Sequence, residues 1–300
     1  MKPAVIPARP VALAPTRLDT QPQRALARPS VLGLRASSGW IGLAVLILFF
    51  VAALAAPALA PADPNAIDLA RKLEGPSARH PLGTDHLGRD ELSRLLHGGR
   101  AALTLGLGAV FGSAVLALIA GGLSGYFGGI IDLGVGMVLN VLLTMPGLIL
   151  TLAILGILGT GEVSLLLALI GSGWAGEARI IRGAVLEARE QGYVEAARVL
   201  GARDLYVLVR HILPNILGTV AVLVTLHLGS VLLTVTSLSF LGLGVQPPQA
   251  DWGTMLSDSR PYAGSHPHLM LFPGLCIVTF AVAANLAGDA LRDLLDPRRR

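Results

Sequence analysis

Six apolar blocks separated by polar or charged stretches run along the chain, at roughly 40–60, 101–125, 132–158, 163–182, 216–241 and 269–289. Each is about 20 residues or longer, enough for a helix rising about 1.5 Å per residue to cross about 30 Å of hydrocarbon. The fourth is the least clean, because Glu177, Arg179 and Arg182 mark its end. Glycines recur within the blocks, as at Gly106, Gly108, Gly112, Gly121 and Gly122. Helices in lipid attract one another through close packing, so small residues mark helix–helix seams. The pattern predicts an all-α membrane protein of six transmembrane helices. Residues 1–38 carry no apolar period and are rich in Pro, Ala and Arg, which reads as a basic disordered tail. Ala58-Leu59-Ala60 resembles a signal-peptidase site, but the preceding tail is long for a leader and Pro61 follows the cut. The first block therefore reads as a retained span.

Composition agrees: 53% of the 300 residues are hydrophobic and 14% charged, with a mean hydropathy of +0.67. Lysine occurs only at Lys2 and Lys72, so arginine carries nearly all the positive charge. The basic residues lie between apolar blocks rather than along one stripe, which favours membrane orientation over nucleic-acid binding. Arg179, Arg182, Arg189, Arg198, Arg203 and Arg210 crowd the segment between blocks four and five, and Arg298-Arg299-Arg300 close the chain. The segment 242–268 holds Arg260 alone. This asymmetry places both termini and the 176–215 segment in the cytoplasm. The 61–100 segment, with six basic and six acidic residues, is long enough to bias topology less. Cys276 is the single cysteine, so neither an intrachain disulfide nor a zinc framework is available.

The segment between blocks four and five is the most patterned polar region. Tyr193, Ala197 and Leu200 fall at i, i+4 and i+7 and share a helical face, beside which Glu195 and Arg198 can pair. Gly201 suits a helix stop and Asp204 an N-cap for the next helix, along which Leu205, Val209 and Ile212 recur with the same spacing. Pro214 suits the first turn of the following span. Two short amphipathic helices joined by a tight turn are expected, projecting from the cytoplasmic side. Pattern alone leaves open whether they dock a partner or lie on the membrane surface.

Glu195-Ala196-Ala197, then Gly201, then Leu213-Pro214, resembles the E-A-A motif of binding-protein-dependent ABC permeases. His211 stands where that motif generally has Ile; His211-Ile212-Leu213-Pro214-Asn215 resembles the peptide/nickel branch. Gly83-Thr84-Asp85, Gly88-Arg89-Asp90 and Ser93-Arg94 resemble the G-T-D-x-x-G-R-D-x-x-S-R signature of the C-type dipeptide, oligopeptide and nickel permeases. Ser239 to Gly244 with Pro247-Pro248 and Asp251-Trp252-Gly253 resembles their outer loop, and Gly288 to Asp293 with Asp296-Pro297 their C-terminus. The resemblance spans 40–298. It implies a type I importer permease fold, with a first helix at 40–60, an extracytoplasmic loop with an amphipathic helix at 61–99, and a transmembrane domain at 100–289. That domain carries the coupling segment 187–215, and 290–300 returns to the cytoplasm.

The resemblance further implies a role: half of a translocation pore in the bacterial inner membrane, importing di- or oligopeptides, with nickel or a metal chelate as the alternative cargo. Its implied partners are a second permease subunit, two ATPase subunits that bind ATP and magnesium, and an extracytoplasmic solute-binding protein. The coupling residues would be Glu195, Ala196, Ala197, Gly201, Asp204, Leu213 and Pro214, with Ala196 and Ala197 permitting close approach to the ATPase. With only two lysines, no Gly-x-x-x-x-Gly-Lys-Ser/Thr loop exists, so ATP and its magnesium belong to the partners and the chain itself needs no cofactor.

Several side chains invite other chemistry. Asn140 and His227 are polar within apolar blocks and are candidates to line a translocation path, as is the kink that Pro146 imposes. Asn140 can equally bond a neighbouring helix, and His227 a backbone carbonyl. His86 and Asp90 stand at a metal-compatible i, i+4 spacing, but Leu92, Leu95 and Leu96 form an apolar stripe and Asp90 can cap its helix and meet Arg94, so no metal site is assigned. Gly122-Leu123-Ser124-Gly125 matches a loose intramembrane protease pattern needing His227 as partner. In a chain of 36 glycines it reads better as a packed helix end. An ion-coupled carrier acting alone would normally show mid-span carboxylates, whereas Asp132, Glu162, Glu177 and Asp289 fall at block ends.

Overall fold

The computed structural model describes residues 31–295. The predicted basic tail lies largely outside the described residues, as does the Arg298–Arg300 cluster. The described chain is helical, with α1 (Val31–Leu54), α2 (Glu91–Phe127), α3 (Gly129–Thr144), α4 (Gly147–Leu158), α5 (Glu162–Arg189), α6 (Gly192–Val199), α7 (Asp204–Phe240), α8 (Trp252–Ser259) and α9 (His268–Leu295). Helices α2, α5, α7 and α9 are each long and apolar enough to cross a membrane, and α3 with α4 make a bent fifth. The apolar part of α1, Gly39–Leu54, is shorter; beyond it the chain turns at Ala55 into a separate helical turn, Ala56–Leu59, with Pro57 in its first positions. The first block thus ends as a helix earlier than its apolar pattern suggests.

Small residues set the helix spacing. A Cβ on Gly121 would stand 2.5 Å from the Ala178 carbonyl oxygen, and one on Gly125 would stand 2.8 Å from that of Arg182. These two glycines, with buried Ser124 between them, let α2 and α5 meet backbone to backbone. Gly42 does the same for α1 against α9, where an added Cβ would lie 2.8 Å from the Ala283 oxygen. Phe280 is fully buried beneath Phe49, the ring centroids 5.5 Å apart and nearly perpendicular. A second core, toward the end that carries α6, gathers Ile181, Val185, Val194, Val207 and Ile212.

The amphipathic helix expected within 61–99 is instead the first turns of α2, which begins at Glu91. Asp90 caps that helix, its carboxylate accepting the Ser93 N–H at 2.8 Å, as the sequence suggested. At 37 residues α2 extends about 55 Å, well beyond the hydrocarbon thickness. Its overhang is held by a buried charge network rather than an interface. Asp85 meets Arg89 at 2.6 Å and Arg94 at 3.5 Å, His80 meets Asp90 at 2.8 Å, and Arg94 also donates to the Pro64 oxygen at 3.2 Å. Arg94 therefore pairs with Asp85 rather than Asp90. Arg89 reaches Asp258 of α8 at 3.3 Å, and Trp252 donates its indole N–H to the Leu95 oxygen at 2.9 Å. The Gly-Thr-Asp signature and the Asp251-Trp252-Gly253 loop are thus two halves of one cap at this end.

Asp251 is fully buried, caps α8 through the Gly253 and Thr254 N–H groups at 2.9 and 3.3 Å, and is pushed by burial up to about 6 from an ordinary 3.8. The third apolar block breaks where Pro146 lacks an N–H. Met145 and Pro146 are extended, and α4 leaves α3 at 97°.

Candidate functional site

At the α6 end, α5 stops at Arg189 and eight residues, Gly192–Val199, form α6. Gly201 then adopts φ +82°, which only glycine takes without strain. Its N–H donates to the Arg198 oxygen at 2.9 Å and the Ala202 N–H to the Ala197 oxygen at 3.1 Å, the paired bonds of a Schellman stop. Glycine as the stop was legible in the sequence; the next element was not. Asp204 does not cap α7, because the turn leaves extended Arg203 in the N-cap place with Asp204 already helical. The Asp204 carboxylate instead accepts the Tyr126 hydroxyl at 2.7 Å. No separate second helix forms either, since α7 runs through a π turn at Leu208–Ile212 into Leu213 and Pro214.

That π turn inserts an extra residue and breaks the 3.6-residue register. The apolar sets spaced at i, i+4 and i+7 do not pack as units. Val194, Val207, Leu208 and Ile212 are buried with Ala197 half-buried beside them, whereas Val199 is 81% exposed, Leu200 87% and Leu205 62%. Glu195 and Ala196 are exposed, and Glu195 makes no ion pair among the described residues. Its expected partner Arg198 lies over the Tyr126 ring, 5.3 Å from the centroid. Leu213 is half-buried and Pro214 exposed at the root of the span. Asn215 donates to the Tyr193 hydroxyl at 3.1 Å. An apolar corner with one free carboxylate therefore stands off the bundle, fixed from beneath by Val194, Tyr126 and the Asp204 bond.

A cavity of about 530 Å³ opens between α3, α4, α5 and α7, with Thr151, Ser172, Glu177, His227, Ser230 and Thr234 as its polar lining. Glu177 is 7% exposed, and its Oε1 lies 2.6 Å from His227 Nδ1. The Glu177 Oε2 atom is buried without a hydrogen-bond partner. Thr151 and Ser172 share a hydrogen bond of 2.8 Å. Leu223 and Leu226 line both this cavity and a second of about 1010 Å³ nearer α6, where Tyr193, Asn215 and Arg292 lie. Of the three path candidates, His227 lines the first cavity and Pro146 shapes it by placing Leu143 and Gly147 along its wall. Asn140 stands outside, accepting from Arg179 at 2.8 Å.

Glu177 was read only as the end of an apolar block. The small-residue run Gly171-Ser172-Gly173 before it was the one sign that this turn of helix lines a space. The Ser124 hydroxyl donates to the Gly121 oxygen at 3.4 Å within the α2–α5 seam, so Ser124 serves packing there. Among the described residues, no group of three or more His, Cys, Asp or Glu gathers in metal-ligating range.

The family model of the binding-protein-dependent transport system inner membrane component matches residues 100–300, and that of the N-terminal TM domain of oligopeptide transport permease C matches residues 35–76. The chain is 40% identical to the nickel transport system permease protein NikC of Escherichia coli (strain K12), covering 87% of this chain and 95% of the relative. It is 40% identical to the glutathione transport system permease protein GsiD of Pectobacterium atrosepticum, over 86% and 85% of the two chains. With the dipeptide transport system permease protein DppC of Alkalihalophilus pseudofirmus it shares 36% identity, over 87% and 86%. Among solved structures, an inward-facing MetNI methionine ABC transporter gives a TM-score of 0.54 at 21% identity, over 67% of this chain and 96% of that one, a likeness of fold.

Proposed function

The chain belongs to the family of binding-protein-dependent transport system inner membrane components, and from that membership we propose that the α6 corner is the dock for an ATPase subunit. The observation that carries this reading is the combination of outward Val199, Leu200 and Leu205 with unpaired Glu195 on a braced, short helix. Apolar side chains this exposed at a membrane protein's polar end call for a covering partner. A segment that transmits motion between subunits must also move as a rigid body. The buried Val194 and the Tyr126–Asp204 bond supply that rigidity. The arginines at 179, 182, 189, 198, 203 and 210 support a reading in which this end and both termini face the cytoplasm of a bacterial inner membrane.

In this reading a second permease subunit completes the pore. Two ATPase subunits bind ATP and magnesium, and a solute-binding protein meets the opposite cap formed by 61–94 and the α8 loop. Closure of the ATPases draws α6 with them and rocks the helices around the two adjoining cavities. The cargo is a di- or oligopeptide. Nickel or a metal chelate is the second reading, favoured by the imidazole of His227 in the first cavity.

The test is uptake by the importer assembled from this chain and its partners in proteoliposomes. Glu195→Lys reverses the exposed charge, and Gly201→Asp puts a side chain on the left-handed turn. Both variants are expected to insert normally yet lose ATP-driven uptake and cargo-stimulated ATPase activity. Wild-type uptake in both refutes the dock.

A further inference from the structure

We propose that Glu177 and His227 form a cation-recognising station in the wall of the translocation cavity, at which the positively charged group of the cargo is held in transit. The inference rests on the transport reading above and adds the chemistry of recognition. His227 lies midway along the Leu213–Phe240 part of α7, and Glu177 faces it from α5. An ionised carboxylate only accepts hydrogen bonds, so His227 Nδ1 is the donor in this contact and Nε2 is turned away from Glu177. A carboxylate behind an imidazole fixes the orientation of the ring toward a ligand. The second carboxylate oxygen, Glu177 Oε2, is buried and unpartnered among the described residues. A buried carboxylate oxygen left without a donor is costly and calls for one.

The arginines nearest along α5 do not supply it. Arg179 donates to Asn140 at 2.8 Å, and Arg182 pairs with Asp132 on α3 at 2.5 Å. Both cations are drawn away from the cavity, while Glu177 and His227 line it. The pair stands beside the hydroxyls of Thr151, Ser172 and Ser230, which can complete the shell of an incoming cation. The shared chemistry is a compact positive group, and two sources offer it: the amino-terminal ammonium of a peptide, or a divalent metal ion. The cavity then continues past Leu223 and Leu226 into the larger space near α6, which gives the released group a way onward.

The test uses the assembled importer in lipid nanodiscs with ¹⁵N-histidine labelling confined to this chain, whose seven imidazoles are few enough to assign by His227→Asn. Alanyl-alanine, N-acetyl-alanyl-alanine and nickel(II) chloride are the probes. If the station holds an ammonium, the free dipeptide moves the His227 resonance and the acetylated one does not. If it holds a metal, nickel(II) broadens that resonance at low occupancy. In either case Glu177→Gln, which keeps shape and hydrogen bonding but removes the charge, weakens the effective ligand by about tenfold or more. Should neither the dipeptide nor nickel perturb His227, or should Glu177→Gln bind both as the wild type does, the station is overturned. Loss of ATP-driven uptake by the wild-type complex, with His227 still responding to a probe, counts instead against the transport reading.

Discussion

Removing one oxygen atom, in Tyr126→Phe, isolates the brace under the α6 corner. The ring is 4% exposed and stays packed, and Arg198 keeps its place over it at 5.3 Å. What disappears is the hydroxyl donated to Asp204 at 2.7 Å. A hydrogen bond to a charged acceptor is worth about 1.5–3 kcal/mol, and because Asp204 is exposed and can rehydrate, the low end applies, about 1.5 kcal/mol. That is about tenfold in the local opening equilibrium of α6. Hydrogen exchange on the purified chain in nanodiscs, where reclosing outpaces exchange, is expected to run about tenfold faster at the amides of 194–200. The centre of α2 around Val110 is expected to be unchanged. In the assembled importer, cargo moved per ATP hydrolysed falls. Asp204→Asn, which keeps a neutral acceptor, is expected to fall between the two. Unchanged exchange at 194–200 in Tyr126→Phe refutes the brace, because the bond then contributes nothing to holding α6.

Gly125→Val drives a branched side chain into the space where a Cβ already lies 2.8 Å from the Arg182 oxygen. Overpacking of this kind costs about 1–3 kcal/mol, read as a lower thermal midpoint in detergent, whereas Gly134→Ala, with open space around its Cβ, is expected to be neutral or slightly stabilising. Asp251 tests the cap at the other end. Its carboxyl titrates near 6 when folded and at an ordinary 3.8 when unfolded, so between those values the folded state holds the proton more tightly. Stability from this group therefore falls as pH rises from about 4 to about 6, by up to about 3 kcal/mol. Asp251→Asn keeps an oxygen for the Gly253 and Thr254 N–H groups and removes the titration. Midpoints of wild type and variant, compared at pH 4.5 and 7, are expected to converge at the acid end and to separate at neutral pH in the variant's favour; a constant gap would contradict the assignment.

The apolar blocks were legible because lipid imposes one rule on every spanning segment, internal satisfaction of the backbone within a long apolar helix. Where the structure departs from the blocks, a local polar event intervened that hydropathy does not carry. Helix α2 starts at Glu91, ahead of its apolar block, because Asp85 and Asp90 neutralise and cap its charged overhang. Helix α7 runs through the expected junction at Pro214 by way of a π turn at Leu208–Ile212, and Leu205 and Val209 lie exposed. The break at Pro146 was readable because proline acts through its own covalent structure.

The site divides along the same line. Gly201 was readable as a helix stop because a left-handed stop is a property of one residue, whereas Glu195 was singled out because it belongs to a contiguous motif. The Tyr126–Asp204 bond joins positions 78 apart and the Glu177–His227 pair positions 50 apart, and neither pairing can be read from one helix alone. Glu177 at the end of an apolar block looks like a helix terminus in water, and His227 alone looks like a histidine satisfied by a carbonyl. Only the packing of α5 against α7 turns the two into a hydrogen-bonded pair beside a cavity. In a membrane protein the mid-span polar pair is therefore the feature that sequence reading is least able to assemble. It is also the one that carries the most chemistry, since every unmatched charge in that position must be offset by a partner or by the cargo.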